Sequence, residues 1–139
     1  MDRKESTIIR VRGTFFTNDS VSFNADLEVA DIIVKGGLKV DGNLTSRSID
    51  LDEDGDLEVY GAVNAYGDIK VNHGNILIQS DCECFSISAK GLVCIGGNCK
   101  CSSITAQDDV AIYGVFFGNI EDIIVPEGHH VYINGKQVK

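Results

Sequence analysis

Cysteines carry the most distinctive spacing in the chain. Of five, four form two Cys-x-Cys pairs, Cys82-Glu83-Cys84 and Cys99-Lys100-Cys101. Four thiolates gathered at one point would hold zinc tetrahedrally. A second candidate is the acidic run that starts at Asp50. There Asp50, Asp52 and Asp54 alternate ahead of Gly55, as at the front of a calcium loop. The pattern breaks at its twelfth position, where Gly61 stands in place of the bidentate glutamate. The three histidines, His73, His129 and His130, lie beside turn residues with no orienting partner in the sequence. They read as exposed turn histidines, not as general bases or a zinc triad. No nucleophile elbow, P-loop or dinucleotide fingerprint is present. The sequence therefore names no catalytic residue and no cofactor-binding residue, and the expected protein is not an enzyme.

Whether these side chains meet depends on the elements that carry them, and here an internal repeat governs. Placing the segment from Val21 over that from Leu38 aligns Val21 with Leu38, Phe23 with Val40, Leu27 with Leu44, Ile32 with Ile49 and Val34 with Leu51. The segments from Ile76 and Val93 align in the same way, with Cys82 on Cys99 and Cys84 on Cys101. Rung starts fall at Val21, Leu38, Leu57, Ile76, Val93, Val110 and Val131, spaced 17, 19, 19, 17, 17 and 21 residues apart. Within a rung, apolar residues alternate with polar ones around a small residue (Ala25, Gly42, Gly61, Ser80, Gly97, Gly114). Period two is a strand with one side chain in and the next out, and the small residue marks a bend. The i, i+3, i+4 spacing of a helix is absent.

A unit of this length cannot bury its apolar side alone, whereas stacked copies bury a continuous core. The expected fold is all-β: a single-domain parallel β-helix, or β-solenoid, with coils of 17–19 residues and six to seven rungs. At ~4.8 Å per coil the rod would be about 29 Å long. Residues 1–20, with Ile8, Ile9, Val11, Phe15 and Phe16, are read as an N-terminal segment and cap, and 21–139 as the solenoid. Tyr132 to Lys136 reads as a last strand and hairpin turn.

The repeat decides between readings of the candidates. By parity Cys82, Cys84, Cys99 and Cys101 point inward with Ile76 and Val93, and Cys94 points out. Thiols two apart on a strand would be ~7 Å apart, wide for one tetrahedral ion. They read as small apolar thiols filling the core, with zinc as the alternative. Asp50, Asp52 and Asp54 fall outward, on a solvated face and corner, with calcium as the alternative. A left-handed hexapeptide acyltransferase helix needs an apolar residue every six positions. Here Val21, Leu27, Ile32, Leu38, Leu44 and Ile49 are separated by 6, 5, 6, 6 and 5.

Composition bounds the partners. A net charge of −9 disfavours nucleic acid, whose phosphates need a cationic surface. The basic residues are scattered apart from Arg3, Lys4, Arg10 and Arg12. No signal peptide or transmembrane segment is expected, since no apolar run approaches the ~20 residues a membrane helix needs. An odd number of cysteines suits reduced thiols and a cytoplasmic location, which leaves the sequon Asn43-Leu44-Thr45 without meaning. Fifteen glycines against one proline fit stacked rungs with many bends, because proline would remove ladder donors.

With the repeat laid out, the chain resembles the bactofilins, the polymer-forming cytoskeletal family of bacteria. The likeness rests on coils such as GDLEVYGAVNAYGDIKV (Gly55 to Val71), LKVDGNLTSRSIDL and VAIYGVFFGNIEDIIV, and covers roughly residues 20 to 135. The resemblance implies a right-handed β-helix with a triangular core, joined end to end into filaments without nucleotide. It also implies a role as scaffold for envelope or cytoskeletal proteins. The leading expectation is thus a non-enzymatic structural protein whose partner is itself. A β-helix binding module, adhesin-like or phage-structural, is the alternative, and a hexapeptide-type acyltransferase ranks last.

Overall fold

Apolar alternation that lasts only two to five inward positions, broken by Gly, Asn and Asp, makes short strands that turn at regular intervals. The computed structural model describes residues 7–139. Its first strands are β1 (Ile8–Thr17), β2 (Val21–Phe23), β3 (Asp26–Val34), β4 (Leu38–Val40) and β5 (Leu44–Leu51). Then come β6 (Leu57–Val59), β7 (Val63–Ala65), β8 (Asp68–Val71), β9 (Ile76–Ile78), β10 (Cys82–Glu83) and β11 (Ser86–Ala89). The last are β12 (Val93–Ile95), β13 (Cys99–Lys100), β14 (Ser103–Ala106), β15 (Val110–Ile112), β16 (Phe116–Phe117), β17 (Ile123–Ile124), β18 (Val131–Ile133) and β19 (Lys136–Gln137). One 3-10 turn, Ile120–Asp122, lies between β16 and β17.

These strands wind a parallel β-solenoid of three faces. One face is an eight-stranded sheet ordered β2-β4-β6-β9-β12-β15-β18-β19. The other two belong to an eleven-stranded sheet. In the early rungs β1, β3 and β5 run across both of these faces. Beyond β5 each rung splits, giving β7, β10, β13 and β16 on one face and β8, β11, β14 and β17 on the other. Every rung start aligns as the repeat requires: Val21, Leu38, Leu57, Ile76, Val93, Val110 and Val131 are successive ladder partners.

The segment ahead of Val21 joins the ladder as a strand. β1 pairs in parallel with β3, from Ile8 on Asp26 to Thr17 on Val34, with one irregularity between Val11 and Thr14. It covers the edge of β3 and presents a new edge of its own.

The core is one continuous aliphatic column running from Leu27 to Val131. Leu44, Ile49, Leu51, Leu57, Ile69, Ile76 and Ile95 are fully buried. Each such side chain contributes roughly 1.5–3 kcal/mol of burial. Ser46 is the buried polar exception, and its hydroxyl donates to Ser48 O at 2.8 Å. Rung-length differences sit at corners. Three residues separate Val34 from Leu38, but five, Asp52 to Asp56, separate Leu51 from Leu57. The longest coil spends its extra residues in the 3-10 turn and in Pro126 to His130.

Candidate functional site

The strongest recurring polar feature is a pair of side-chain columns at two corners. At the first, Asp26 Oδ1 accepts the Asn43 N–H, Asn43 Oδ1 the Ala62 N–H, Asp81 Oδ1 the Asn98 N–H and Asn98 Oδ1 the Val115 N–H, each at 2.8 Å. At the second, Ser20 Oγ accepts the Gly37 N–H, Asp56 Oδ1 that of Asn75, Asn75 Oδ1 that of Leu92, and Asp109 Oδ1 that of His130. Each side chain satisfies a backbone donor one coil on, where the strand ladder is interrupted.

The glycines belong to the same device. A Cβ on Gly61, Gly97 or Gly114 would collide with the side-chain Oδ1 of Asn43, Asp81 or Asn98 in the coil below, and with backbone beside it. A Cβ on Gly42 would lie 2.6 Å from Ala25 O and 2.7 Å from Asp26 Oδ1. The bend glycines are therefore required by the neighbouring coil's corner, not by a crowded interior. The sequence signal was present as Gly-Asn and Gly-Asp pairs at the repeat period. Such a pair has the same composition as an ordinary turn, so the spacing shows the bend and not the acceptor it carries.

The four paired cysteines do meet. Cys82 and Cys99 are ladder partners, and Cys82, Cys84, Cys99 and Cys101 are all buried. Cys99 Sγ and Cys101 Sγ are 3.8 Å apart. The separation is shorter than two strand residues would give because β13 ends at Lys100 and Cys101 turns with the corner. The one hydrogen bond between these thiols is that of Cys99 with Cys101, and Cys82 and Cys84 complete a buried ring of four sulfurs beside them. A tetrahedral thiolate site with Zn–S of about 2.3 Å needs all sulfurs within ~3.8 Å of one another. Among the described residues no three of these sulfurs lie within 4.8 Å of each other. The ring is too open for that site as it stands. Cys84 and Cys99 are pushed far up by their thiol neighbours Cys101 and Cys82 and by burial. Cys94 lies on the outer face, half-buried, with its thiol raised by burial.

Asp50, Asp52 and Asp54 do not converge. Asn72 in the next coil donates to Asp52 Oδ1 at 3.1 Å and to Asp50 Oδ1 at 3.4 Å, and Asp54 is exposed. The run is the five-residue corner that lengthens its rung.

The C-terminal corner differs from the sequence expectation. His73 is exposed as expected, but His129 is partnered. Its Nδ1 lies 3.2 Å from both Asp108 Oδ1 and Asp109 Oδ1. Asp109 is held below the ordinary carboxylate range, chiefly by the His130 backbone N–H and then by His129. His130 Nδ1 is 3.1 Å from Gln137 Nε2. Asp108, Asp109 and His129 are the one group of metal-ligand type that gathers within 4.8 Å among the described residues. The partners are 20 and 21 residues apart across an irregular coil, so no local spacing reveals them. The corner sets His129 Nδ1 between two carboxylates.

The two ends of the solenoid are the remaining distinctive surfaces. At the N-terminal end Ile9, Val11, Phe15, Val21 and Phe23 pack on the core yet stay partly open, with Phe15 and Phe23 edge to face at 5.4 Å. Ile8 and Phe16 are exposed beside them. At the other end Phe116, Val125 and Ile133 are partly open, and Phe117 and Ile124 are exposed. Arg10 pairs with Glu28 at 2.6 Å, Arg12 is exposed, and Arg3 and Lys4 lie outside the described residues.

The chain matches no family model, no curated protein and no solved structure at a significant level. No helix among the described residues is long and apolar enough to cross a membrane.

Proposed function

We propose that the chain is a non-enzymatic building block that joins other copies of itself through its terminal rungs, as a scaffold of the bactofilin kind. One observation carries this reading: the apolar cross-section of the solenoid is open at its ends. Ile9, Phe15 and Phe23 pack on the core from one side and stay only partly buried among the described residues. A second copy stacked there would cover them and pair the free strand edge. The long side faces, by contrast, carry mixed polar residues such as Glu28, Thr45, Asn64, Glu83 and Lys100 in register. Five free thiols fit a reducing cytoplasm.

Light scattering and negative-stain electron microscopy of purified protein test the reading. Species larger than one chain are expected, favoured by salt because copies of charge −9 repel. A strictly monomeric protein at every salt and concentration would refute it. A second reading, a binding module, has one observation in its favour. Leu77, Cys94, Ala111 and Tyr132 are consecutive outward partners on the eight-stranded sheet. Retained assembly after Leu77→Lys would place the contact at the ends and not on this face.

A further inference from the structure

The two ends are not equivalent. At the C-terminal end two of the three faces are blunted, those of β18 and β17. β19 folds back antiparallel on β18, through a turn with Asn134 and Gly135 at positive φ. Val138 N donates to Val131 O at 2.8 Å, and the Lys139 ammonium donates to Ile123 O, the carbonyl at the edge of β17, at 2.6 Å. A hairpin and a lysine are the means by which natural sheets blunt an edge. At the N-terminal end β1 is paired on one side alone, with β3. It is ten residues long, the longest strand of the molecule, and its other edge is uncovered among the described residues.

The residues of that edge are self-complementary. Thr7 to Thr17 reads T-I-I-R-V-R-G-T-F-F-T. Folded about Arg12, it sets Thr7 against Thr17, Ile8 against Phe16, Ile9 against Phe15, Arg10 against Thr14 and Val11 against Gly13. The match holds in three dimensions because Ile9, Val11 and Phe15 keep one parity along β1: the extra residue between Val11 and Thr14 takes up the parity change of β3 between Val29 and Ile32. Ile9 and Phe15 both stack on inward, buried partners, Leu27 and Ile32, while Ile8 and Phe16 are both exposed outside.

We infer that β1 pairs antiparallel with β1 of a second copy, about a two-fold axis at Arg12, joining the two solenoids by their N-terminal ends. This rests on the terminal-rung reading above and specifies its partner surface. The interface is isologous: the same patch serves both copies, so it closes on itself. β19 and Lys139 blunt two of the three faces at the far end and leave only the two-residue β16 unpaired on its outer side, so the assembly stops at two chains. Cross-strand apolar pairs, Ile8 with Phe16 and Ile9 with Phe15, supply the contact, and the two Arg12 side chains at the axis oppose it. Salt therefore tightens the pair by screening them.

Full-length protein carrying Cys94→Ser, which removes the one cysteine outside the core, is the background for the test. Arg12→Cys places two thiols at the axis, and mild oxidation should give a covalent dimer with twice the chain mass and nothing larger. Ile8→Lys with Phe16→Lys sets cation against cation and should return a monomer. Ile8→Lys with Phe16→Glu should restore the dimer, which a general loss of stability would not do. Assembly that proceeds without the Arg12→Cys cross-link, and in which Phe16→Cys links to Ile124→Cys, overturns the two-fold junction but leaves the terminal-rung reading standing. A protein that is monomeric throughout overturns both.

Discussion

Ser80 follows Gly61 by one coil in the ladder that pairs Cys82 with Val63, and takes the bend position that is glycine at Gly42, Gly61, Gly97 and Gly114. Ala62 is a corner position without a side-chain acceptor, between Asn43 and Asp81 in the first column. The coil whose bend carries a Cβ at 80 is thus the one that follows a coil with no carboxamide or carboxylate at 62. The second column repeats the pattern, with Asp108 in a glycine position above Leu92. The predicted outcome is non-additive. Ala62→Asn alone gains an acceptor for the Asp81 N–H but drives it into Ser80, so its unfolding midpoint should not rise. Ala62→Asn with Ser80→Gly should be more stable than wild type by about 1 kcal/mol, read from urea melts. Asn98→Ala should lose about 1 kcal/mol, and Gly97→Ala more, because its Cβ meets backbone as well as Asp81.

The buried thiol ring predicts a reactivity count. Thiol reagent added to native protein should titrate Cys94 quickly and the other four cysteines only after denaturation. Fast reaction of two or more thiols in the native state would show that the ring opens to solvent. Metal analysis of the same sample checks the open geometry, and zinc at one per chain would mean that the sulfurs close around an ion.

The acidic corner predicts indifference to calcium. Asp50 and Asp52 already accept from Asn72, and Asp54 points away into solvent. Millimolar calcium should leave the Tm unchanged, whereas ligation in the folded state alone would raise it.

The C-terminal corner predicts acid sensitivity. The folded pKa of Asp109 is lowered, so its contribution to stability is present above the unfolded value of ~3.9 and is lost as pH falls through the lower folded one. Asp31, lowered by its bonds from Arg47 and Ser48, acts in the same direction. Asp109→Asn keeps an oxygen for the His130 N–H but removes the charge beside His129. Its Tm should fall less steeply than that of wild type between neutral pH and pH ~3.

Much of this molecule is legible in its sequence. Alternation of apolar and polar residues determines which side chains enter the core, so Cys82, Cys99, Leu57 and Ile76 are inward and Cys94 outward. The 17- to 21-residue period determines which rungs stack, and every rung start from Val21 to Val131 pairs as the period demands. Both follow from local chemistry, because strand parity and repeat length survive whatever the corners do. The tertiary structure alone decides what happens between coils at those corners. Whether Asn98 reaches the Val115 N–H, why Gly114 cannot carry a Cβ, how close Cys99 comes to Cys101 and that His129 falls between Asp108 and Asp109 all depend on bends of unequal length brought within one coil spacing. That spacing, ~4.8 Å, is a property of the stacked backbone and not of any single coil.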